Sequence, residues 1–187
     1  MTPVEPPSRD GPDLLRDFID FYKKTVRQTF GTAYRAAGGD AYVAQEATQE
    51  AYLVMLKLWR DNKKPEKGLC RYVVGIAVHK VTDYYRARDR NVELNDQHDC
   101  GRPETGYAEA LGTLTVLQAV RDFLDRQPPQ RRAVGVLYFL QEFDYSEIAE
   151  TLAMSRSTAR THVQRLRKAL QPLIDRSTLD DRGGERP

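Results

Sequence analysis

The sequence predicts an all-α protein of two small helical domains, an N-terminal helical bundle and a C-terminal helix-turn-helix bundle, joined by a flexible acidic linker. Apolar residues recur at three- and four-residue steps through most of the chain, which is the spacing of one helix face. No Asn-Gly or Asp-Gly turn separates two runs of alternating polarity, as a β-hairpin would require. Between residues 91 and 109 the periodicity is lost, and five acidic residues accompany a single basic one, Arg102.

These patterns divide the 187 residues into five expected segments. The first domain is predicted over 13–91 and the second over 111–175, with the linker at 92–110. The tails, 1–12 and 176–187, are expected to be disordered because they combine proline, glycine and charged residues with few side chains to bury. A chain of this length is sufficient for two domains.

The first two helices are predicted before residue 61. The first covers 13–37 and ends at Gly38-Gly39, and Gly31 is a candidate point for a break in it. The second begins after Asp40, which can serve as its N-cap, and ends near Arg60. It carries two apolar stripes, Val43, Ala47, Ala51, Val54 and Leu58 in one, and Tyr52, Leu56 and Trp59 in the other. Two stripes suggest two partners, the domain's own core and an external surface.

A third helix is predicted from about Cys70 to Arg90, after a loop that contains Pro65, Gly68 and three lysines. Its expected buried face consists of Val73, Ile76, Ala77, Val81 and Tyr84. Its expected solvent face consists of Arg71, His79, Asp83, Arg86 and Arg90.

The second domain is expected to begin with an amphipathic helix from Leu111 to about Arg126, which Pro128-Pro129 ends. Another helix leads to the segment "EIAETLAMSRSTARTHVQRLRKAL", residues 147–170, which has the pattern of a helix-turn-helix. Asp144 and Glu147 have the spacing of a capping box. The turn is predicted at Met154-Ser155, with Ser155 or Ser157 as the cap of the second helix.

That second helix separates its side chains by face. The predicted buried stripe consists of Ala159, Val163, Leu166 and Leu170. The outward side chains are Arg156, Arg160, Thr161, Gln164, Arg167 and Lys168. Such a face suits the major groove of DNA, because arginine pairs with guanine and glutamine with adenine through two hydrogen bonds each.

Bulk composition excludes several classes of protein. There are 29 Lys and Arg against 27 Asp and Glu, a formal net charge of +2, so local rather than total charge decides the partner. With two cysteines, no signal segment and no run of 18 apolar residues, a cytoplasmic protein without membrane insertion is expected. No metal, cofactor or catalytic residue is predicted: Cys70, Cys100, His79 and His98 lack paired ligand spacing, and no nucleophile has a nearby base.

The segment "AQEATQEAYLVMLKLW" resembles the polymerase-binding segment of the sigma-70 family, in its extracytoplasmic-function (ECF) group. The matching residues are Ala44, Glu46, Gln49, Glu50, Ala51, Tyr52 and Trp59. Downstream, "GLCRYVVGIAVHKVTDYYRAR" resembles the helix of that family that melts and reads the minus-ten element. The segment from Arg126 to Leu170 resembles the domain that reads the minus-thirty-five element. The motifs follow one another in the order of the family.

The resemblance implies a sigma factor that binds the β and β′ subunits of core RNA polymerase and directs initiation at promoter DNA. An anti-sigma protein is a further expected partner. The implied polymerase-binding residues are Gln45, Glu46, Gln49, Glu50, Tyr52, Leu56 and Trp59. The implied minus-ten residues are Lys63, Lys64, Lys67, Tyr72, His79, Lys80, Asp83 and Arg86. The implied minus-thirty-five residues are Arg156, Ser157, Thr158, Arg160, Thr161, Gln164, Arg165 and Lys168.

Two other interpretations are open at this point. A stand-alone regulator of the LuxR-like kind has a similar final helix, but it would need an upstream sensor or receiver domain, for which the alternating strand and helix pattern is missing. A helical interaction or adaptor protein could retain the helix-turn-helix for packing alone.

Overall fold

The computed structural model describes residues 11–66, 68–92 and 116–180, and every regular element within them is helical. The elements in chain order are α1 (Gly11–Ala36), α2 (Ala41–Arg60), α3 (Leu69–Val92), α4 (Val116–Asp125), α5 (Pro129–Gly135), a π-helical turn (Val136–Leu140), α6 (Tyr145–Thr151) and α7 (Arg156–Asp180). They form two groups, α1–α3 and α4–α7, which confirms the predicted fold class.

The corner between α1 and α2 follows the predicted chemistry. Helix α1 is continuous through Gly31, so the break considered there does not occur. Gly38 and Gly39 then adopt φ values of 69° and 88°, a left-handed conformation in which glycine has no Cβ to clash. Asp40 caps α2 by accepting a hydrogen bond from the Val43 N–H at 3.1 Å. The chain therefore reverses direction within four residues.

The prediction that Tyr52 and Trp59 form part of an exposed second stripe on α2 is wrong. They are only 5% and 6% exposed, because aromatic side chains of α1 cover them. The Trp59 ring lies 5.7 Å from that of Phe18 and 5.2 Å from that of Phe21, measured between centroids. The Tyr52 hydroxyl lies 2.7 Å from the Thr25 hydroxyl, and its burial raises the pKa of Tyr52. Both stripes of α2 therefore serve the domain's own core.

Helix α3 buries three of the five predicted residues. Val73, Ala77 and Val81 are fully buried and Ile76 is half-buried, but Tyr84 is 41% exposed and the prediction for it is wrong. Tyr85 takes that place, because it continues the four-residue step from Ala77 and Val81 along the buried face. Its hydroxyl donates to the Ala37 carbonyl at 2.8 Å and so ties α3 to the end of α1.

The C-terminal group has a small core of its own, formed by Val120, Leu124, Val136, Leu166 and Leu170. Helix α7 continues to Asp180, so the prediction of a disordered tail from residue 176 is wrong for 176–180. The predictions for the remaining tail residues, the linker and the start of the helix before Val116 lie on 1–10, 93–115 and 181–187, outside the described residues.

The two groups pack against each other through a continuous set of buried residues. Val134, Leu137 and Ile148 of the C-terminal group belong to the same buried cluster as Ala33 and Val74 of the N-terminal group. Gly75 permits a close approach of α6 to α3, since a Cβ at this position would already touch the Thr151 side chain at 3.4 Å. Helix α3 is therefore covered by α1 and α2 on one side and by α5 and α6 on another.

Among the described residues no helix has both the length and the apolar character needed to cross a membrane. The same ranges contain no group of three or more metal-binding side chains.

Gly38→Ala is expected to reduce the free energy of unfolding by about 2–4 kcal/mol, since the left-handed backbone costs an L-residue about 1–2 kcal/mol and a steric clash adds to it. The new Cβ would lie between 2.2 and 2.9 Å from guanidinium atoms of Arg132. Gly68→Ala is the matched control, because Gly68 has φ 70° but no atom within 4 Å of the added Cβ. Equal losses in urea denaturation would contradict the predicted clash at Gly38.

Candidate nucleic-acid interface

The helix-turn-helix of α6 and α7 is set by caps at both helix starts. The Asp144 carboxylate accepts from the N–H groups of Ser146 and Glu147, while the Glu147 carboxylate accepts from the Asp144 N–H, so the predicted capping box is confirmed. Ser155, rather than Ser157, caps α7, since its Oγ accepts from the Thr158 N–H at 3.0 Å. Ala153 has φ 49° in the turn between them.

The residues predicted to read the minus-thirty-five element lie together on the solvent side of α7, here called the α7 outer face. This face consists of Arg156, Ser157, Thr158, Arg160, Thr161, Gln164, Arg165 and Lys168, all exposed. The predicted buried stripe, Ala159, Val163, Leu166 and Leu170, is at most 2% exposed. Between Arg156 and Gln171 the helix carries five basic residues and no acidic one. Such a face attracts DNA phosphates and leaves side chains free for base edges.

Not every outward group on α7 is free to bind DNA. The Arg167 guanidinium donates to the Tyr138 hydroxyl and packs over its ring, so Arg167 fixes α7 against the π-helical turn. His162, which was not predicted as a site residue, is half-buried beside the outer face. Burial lowers the pKa of His162, and the charges of Arg131 and Arg165 lower it further. Nothing in the sequence around His162 distinguishes it from an ordinary surface histidine, so the sequence did not predict it as a site residue.

The residues predicted to hold the minus-ten strand also share a face of α3, here called the α3 outer face: Tyr72, His79, Lys80, Asp83 and Arg86. The His79 imidazole lies 3.0 Å from the Asp83 carboxylate, which in turn accepts from Arg86 at 3.3 Å. Tyr72 is 43% exposed. This arrangement offers an aromatic ring and several hydrogen-bond donors, which are the groups that bind single-stranded nucleic acid.

The lysines of the loop before α3 differ in their exposure to solvent. Lys63 is exposed, whereas the Lys64 ammonium lies 4.9 Å from the centroid of the Trp59 ring and is half-buried. Lys67 lies outside the described residues. Lys64 is therefore better placed to cover Trp59 than to reach a ligand.

The predicted polymerase-binding residues divide between surface and core. Gln45, Glu46, Gln49 and Glu50 are exposed, Leu56 is half-buried, and Tyr52 and Trp59 are buried. Two apolar side chains that the sequence analysis missed join the exposed set, Tyr42 at 67% and Leu53 at 59% exposure. Their spacing of eleven residues is three helical turns, so it places them on the same side of α2. The α2 outer face therefore consists of Tyr42, Gln45, Glu46, Gln49, Glu50 and Leu53.

An ion pair joins the α2 and α3 outer faces, since the Lys80 ammonium lies 2.8 Å from the Glu50 carboxylate. Both side chains are partly exposed, so the pair contributes little to stability. It does place two surfaces with different predicted partners side by side.

Asp144→Ala is expected to lower the unfolding temperature near neutral pH, and this loss should shrink at acid pH. The N–H groups of Glu147 and Ser146 lower the pKa of Asp144, so the stabilisation is present above the unfolded pKa of about 3.9 and is lost as the pH falls through the lower folded value. Thermal unfolding of the variant and of the unchanged protein, followed from pH 7 to pH 2.5, measures the difference between their unfolding temperatures.

Ser155→Ala is the control for this pH dependence. It removes the cap of α7 but no group that titrates in this range. A loss for Asp144→Ala that stays constant across the range would contradict the assignment.

Comparison with known proteins gives concordant findings. A family model described as sigma-70, region 4, matches residues 117–170. The chain is 26% identical over 172 residues to the ECF RNA polymerase sigma factor SigW of Bacillus subtilis (strain 168), a match that covers 85% of this chain and 88% of that protein. Its fold is similar to that of the sigma factor RpoE in a co-crystal structure with the anti-sigma factor NepR from Bartonella quintana. That match has a TM-score of 0.60 and 19% identity, and it covers 86% of this chain and 98% of the other.

Proposed function

The chain belongs to the extracytoplasmic-function group of the sigma-70 family, and on that premise we propose how it divides the work of initiation among its three outer faces. The α2 outer face binds core RNA polymerase. The α3 outer face holds the melted minus-ten strand, and the α7 outer face reads the minus-thirty-five element as duplex. The observation that carries the proposal is the basic, acid-free outer face of α7 on a chain that also presents Tyr42 and Leu53 to solvent.

The role of α7 follows from the chemistry of its outer face. Arg160, Thr161 and Gln164 project from the middle of the helix, where a recognition helix lies deepest in the major groove. Arg156 and Lys168 stand towards the two ends of this face, where phosphates pass. The central residues would therefore choose the sequence, and the outer ones would position the helix on the duplex.

The role of α2 follows from its apolar side chains. A large apolar residue that remains exposed in the free protein is a common anchor of a protein interface, especially when polar groups surround it. Leu53 has Glu46 and Gln49 within two helical turns on the same side. The polymerase surface that binds Leu53 would be apolar at that point and would carry basic groups opposite Glu46.

Residues 13–91 would make the polymerase and minus-ten contacts, and residues 111–175 would make the minus-thirty-five contact. The chain would carry out no catalytic step, because polymerase forms the phosphodiester bond. It would act in the cytoplasm, where polymerase and promoter DNA are. Two weak DNA sites gain affinity when polymerase holds both at the correct separation.

Transcription with purified core polymerase and a genomic promoter library tests this function directly. Adding the protein is expected to start transcripts at a defined set of sites that share two sequence elements. The absence of specific initiation at every promoter in the library would overturn the proposal.

Arg160→Ala combined with Gln164→Ala is expected to abolish selective use of those promoters without unfolding the protein. Each lost base contact costs about 1–3 kcal/mol of discrimination. Lys168→Ala is the comparison, since loss of a phosphate contact should weaken all promoters about equally and make binding less dependent on salt. If the double variant still selected the same promoters, α7 would not be the reading helix.

Leu53→Ala is expected to weaken binding to core polymerase by about five-fold or more, the effect of losing an interface side chain worth about 1 kcal/mol. Leu15→Ala is a matched control, because Leu15 of α1 is 53% exposed against 59% for Leu53. Fluorescence anisotropy with labelled protein measures both affinities. Equal effects of the two changes would remove α2 as the docking helix.

A further inference from the structure

One flank of α7 carries a basic cluster that the proposed base contacts do not use. His162 lies about 60° around the helix from Arg165, between the outer face and the buried stripe. Arg131, in the first turn of α5, is close enough for its charge to act on the His162 ring, and so is Arg165. The cluster therefore joins two helices and begins outside the recognition helix.

The polar groups of this cluster have no partners within the described part of the chain. The Nε atom of Arg131 and the Nδ1 atom of His162 are both buried without a hydrogen bond. No described acidic side chain forms an ion pair with Arg131 or Arg165. Positive groups that gather without a counter-ion repel one another, so an anion bound among them would be stabilised.

The opposite flank of α7 is already occupied by a contact within the protein. Arg167 lies about 140° around the helix from His162, and its guanidinium donates to the Tyr138 hydroxyl and packs over that ring. A recognition helix about 10–12 Å across fills a major groove about 12 Å wide, so its two flanks face the two phosphate backbones. The His162 flank is therefore the one whose donors remain for a phosphate.

We infer that Arg131, His162 and Arg165 bind one phosphate of the minus-thirty-five duplex, and that the duplex binds more tightly when His162 is protonated. The inference rests on the proposed function, to which it adds a contact from α5 and a dependence on pH. Because Nδ1 is buried, the phosphate oxygen would meet the ring at its other nitrogen, Nε2.

The direction of the pH dependence follows from the surroundings of His162. Burial lowers the pKa of His162 in the free protein, and the charges of Arg131 and Arg165 lower it further. Helices α4 and α6 also pack against α7, but within the described ranges no charged group on either of them acts on this pKa. The free imidazole is therefore neutral at pH 8.

A bound phosphate reverses this preference. Its negative charge beside the ring raises the pKa of His162, so the bound protein holds a proton that the free protein lacks. Affinity for the duplex therefore rises as the pH falls through the bound pKa, and the rise ends at the lower pKa of the free protein.

Duplex binding by the complex of core polymerase with the full chain, compared at pH 8 and pH 6, tests the inference. The probe is a labelled duplex from a promoter that the transcription assay defines, and it ends before the minus-ten element, so the α3 outer face has no strand to bind. Affinity is expected to rise by about three-fold or more from pH 8 to pH 6. The slope of log affinity against log salt should steepen by up to about one, the effect of one added phosphate contact.

Two variants of His162 isolate its charge. His162→Gln cannot be protonated, and it is expected to bind at pH 8 as the unchanged protein does and to lose the rise at pH 6. His162→Arg is charged at both pH values and should bind equally well at both, about as tightly as the unchanged protein at pH 6.

A third variant tests the contribution of α5. Arg131→Met should weaken binding at both pH values by about three-fold and reduce the salt slope by about one. Arg16→Met is the matched control, because it removes an exposed arginine of α1 and so tests the loss of one positive charge elsewhere. It should leave the salt slope and the pH dependence unchanged.

The outcomes separate this inference from the proposed function. A rise at pH 6 that His162→Gln retains would overturn the inference, and so would an Arg131→Met that binds as Arg16→Met does. Equal salt slopes at the two pH values in the unchanged protein would overturn it without any variant. Specific binding without the pH effect contradicts the inference alone, whereas absence of specific binding at both pH values would overturn the proposed function as well.

Discussion

One polar contact recurs wherever the two helical groups meet around their shared buried cluster, an arginine guanidinium that donates to the carbonyl end of a helix. A buried cation is costly unless hydrogen bonds replace its water, and a helix end is costly unless something donates to its last carbonyls. Arg132 resolves both costs at once, because it lies between the ends of α1 and α4. The partial negative charge at a helix C-terminus adds a favourable electrostatic contribution. Together with the contacts of Arg71 and Arg86, this contact links five helices, α1, α3, α4, α5 and α6.

Helix α3 has a buried side that packs in the core and an opposite side that carries the proposed DNA contacts. One side, with Val73, Ala77 and Val81, is committed to the core of the first domain. The opposite side would bind DNA, yet α6 approaches along its edge at Gly75. Helix α6 therefore covers the edge of α3 at Gly75, whereas α7 has one buried stripe and one outward face that no other described helix covers.

The sequence predicted the elements that depend on local patterns. The α7 stripe, the Asp144 capping box and the stop at Gly38 arise from residues a few positions apart, so spacing was sufficient. Contacts between distant segments were not predictable in the same way. Tyr52 was expected on the second stripe of α2, but it is buried because Thr25 and Thr29 of α1 form hydrogen bonds with its hydroxyl. Tyr85 rather than Tyr84 lies on the inner side of α3, where its hydroxyl donates to the Ala37 carbonyl at the end of α1. The sequence did not predict the contacts of Arg71, Arg86 and Arg132 with helix ends. Every residue has a main-chain carbonyl, so no residue type marks the positions that accept these hydrogen bonds.

The distribution of the three donors has a consequence for how such a protein can evolve. Arg71 and Arg86 belong to the helix that would touch promoter DNA, so a change at either would affect the packing of the two groups and the proposed minus-ten contacts together. Arg132 lies in the interface and away from every outer face. A substitution there changes the contact between the two helical groups and leaves the residues of every outer face as they are, so evolution can alter how firmly the groups pack without altering the proposed promoter contacts.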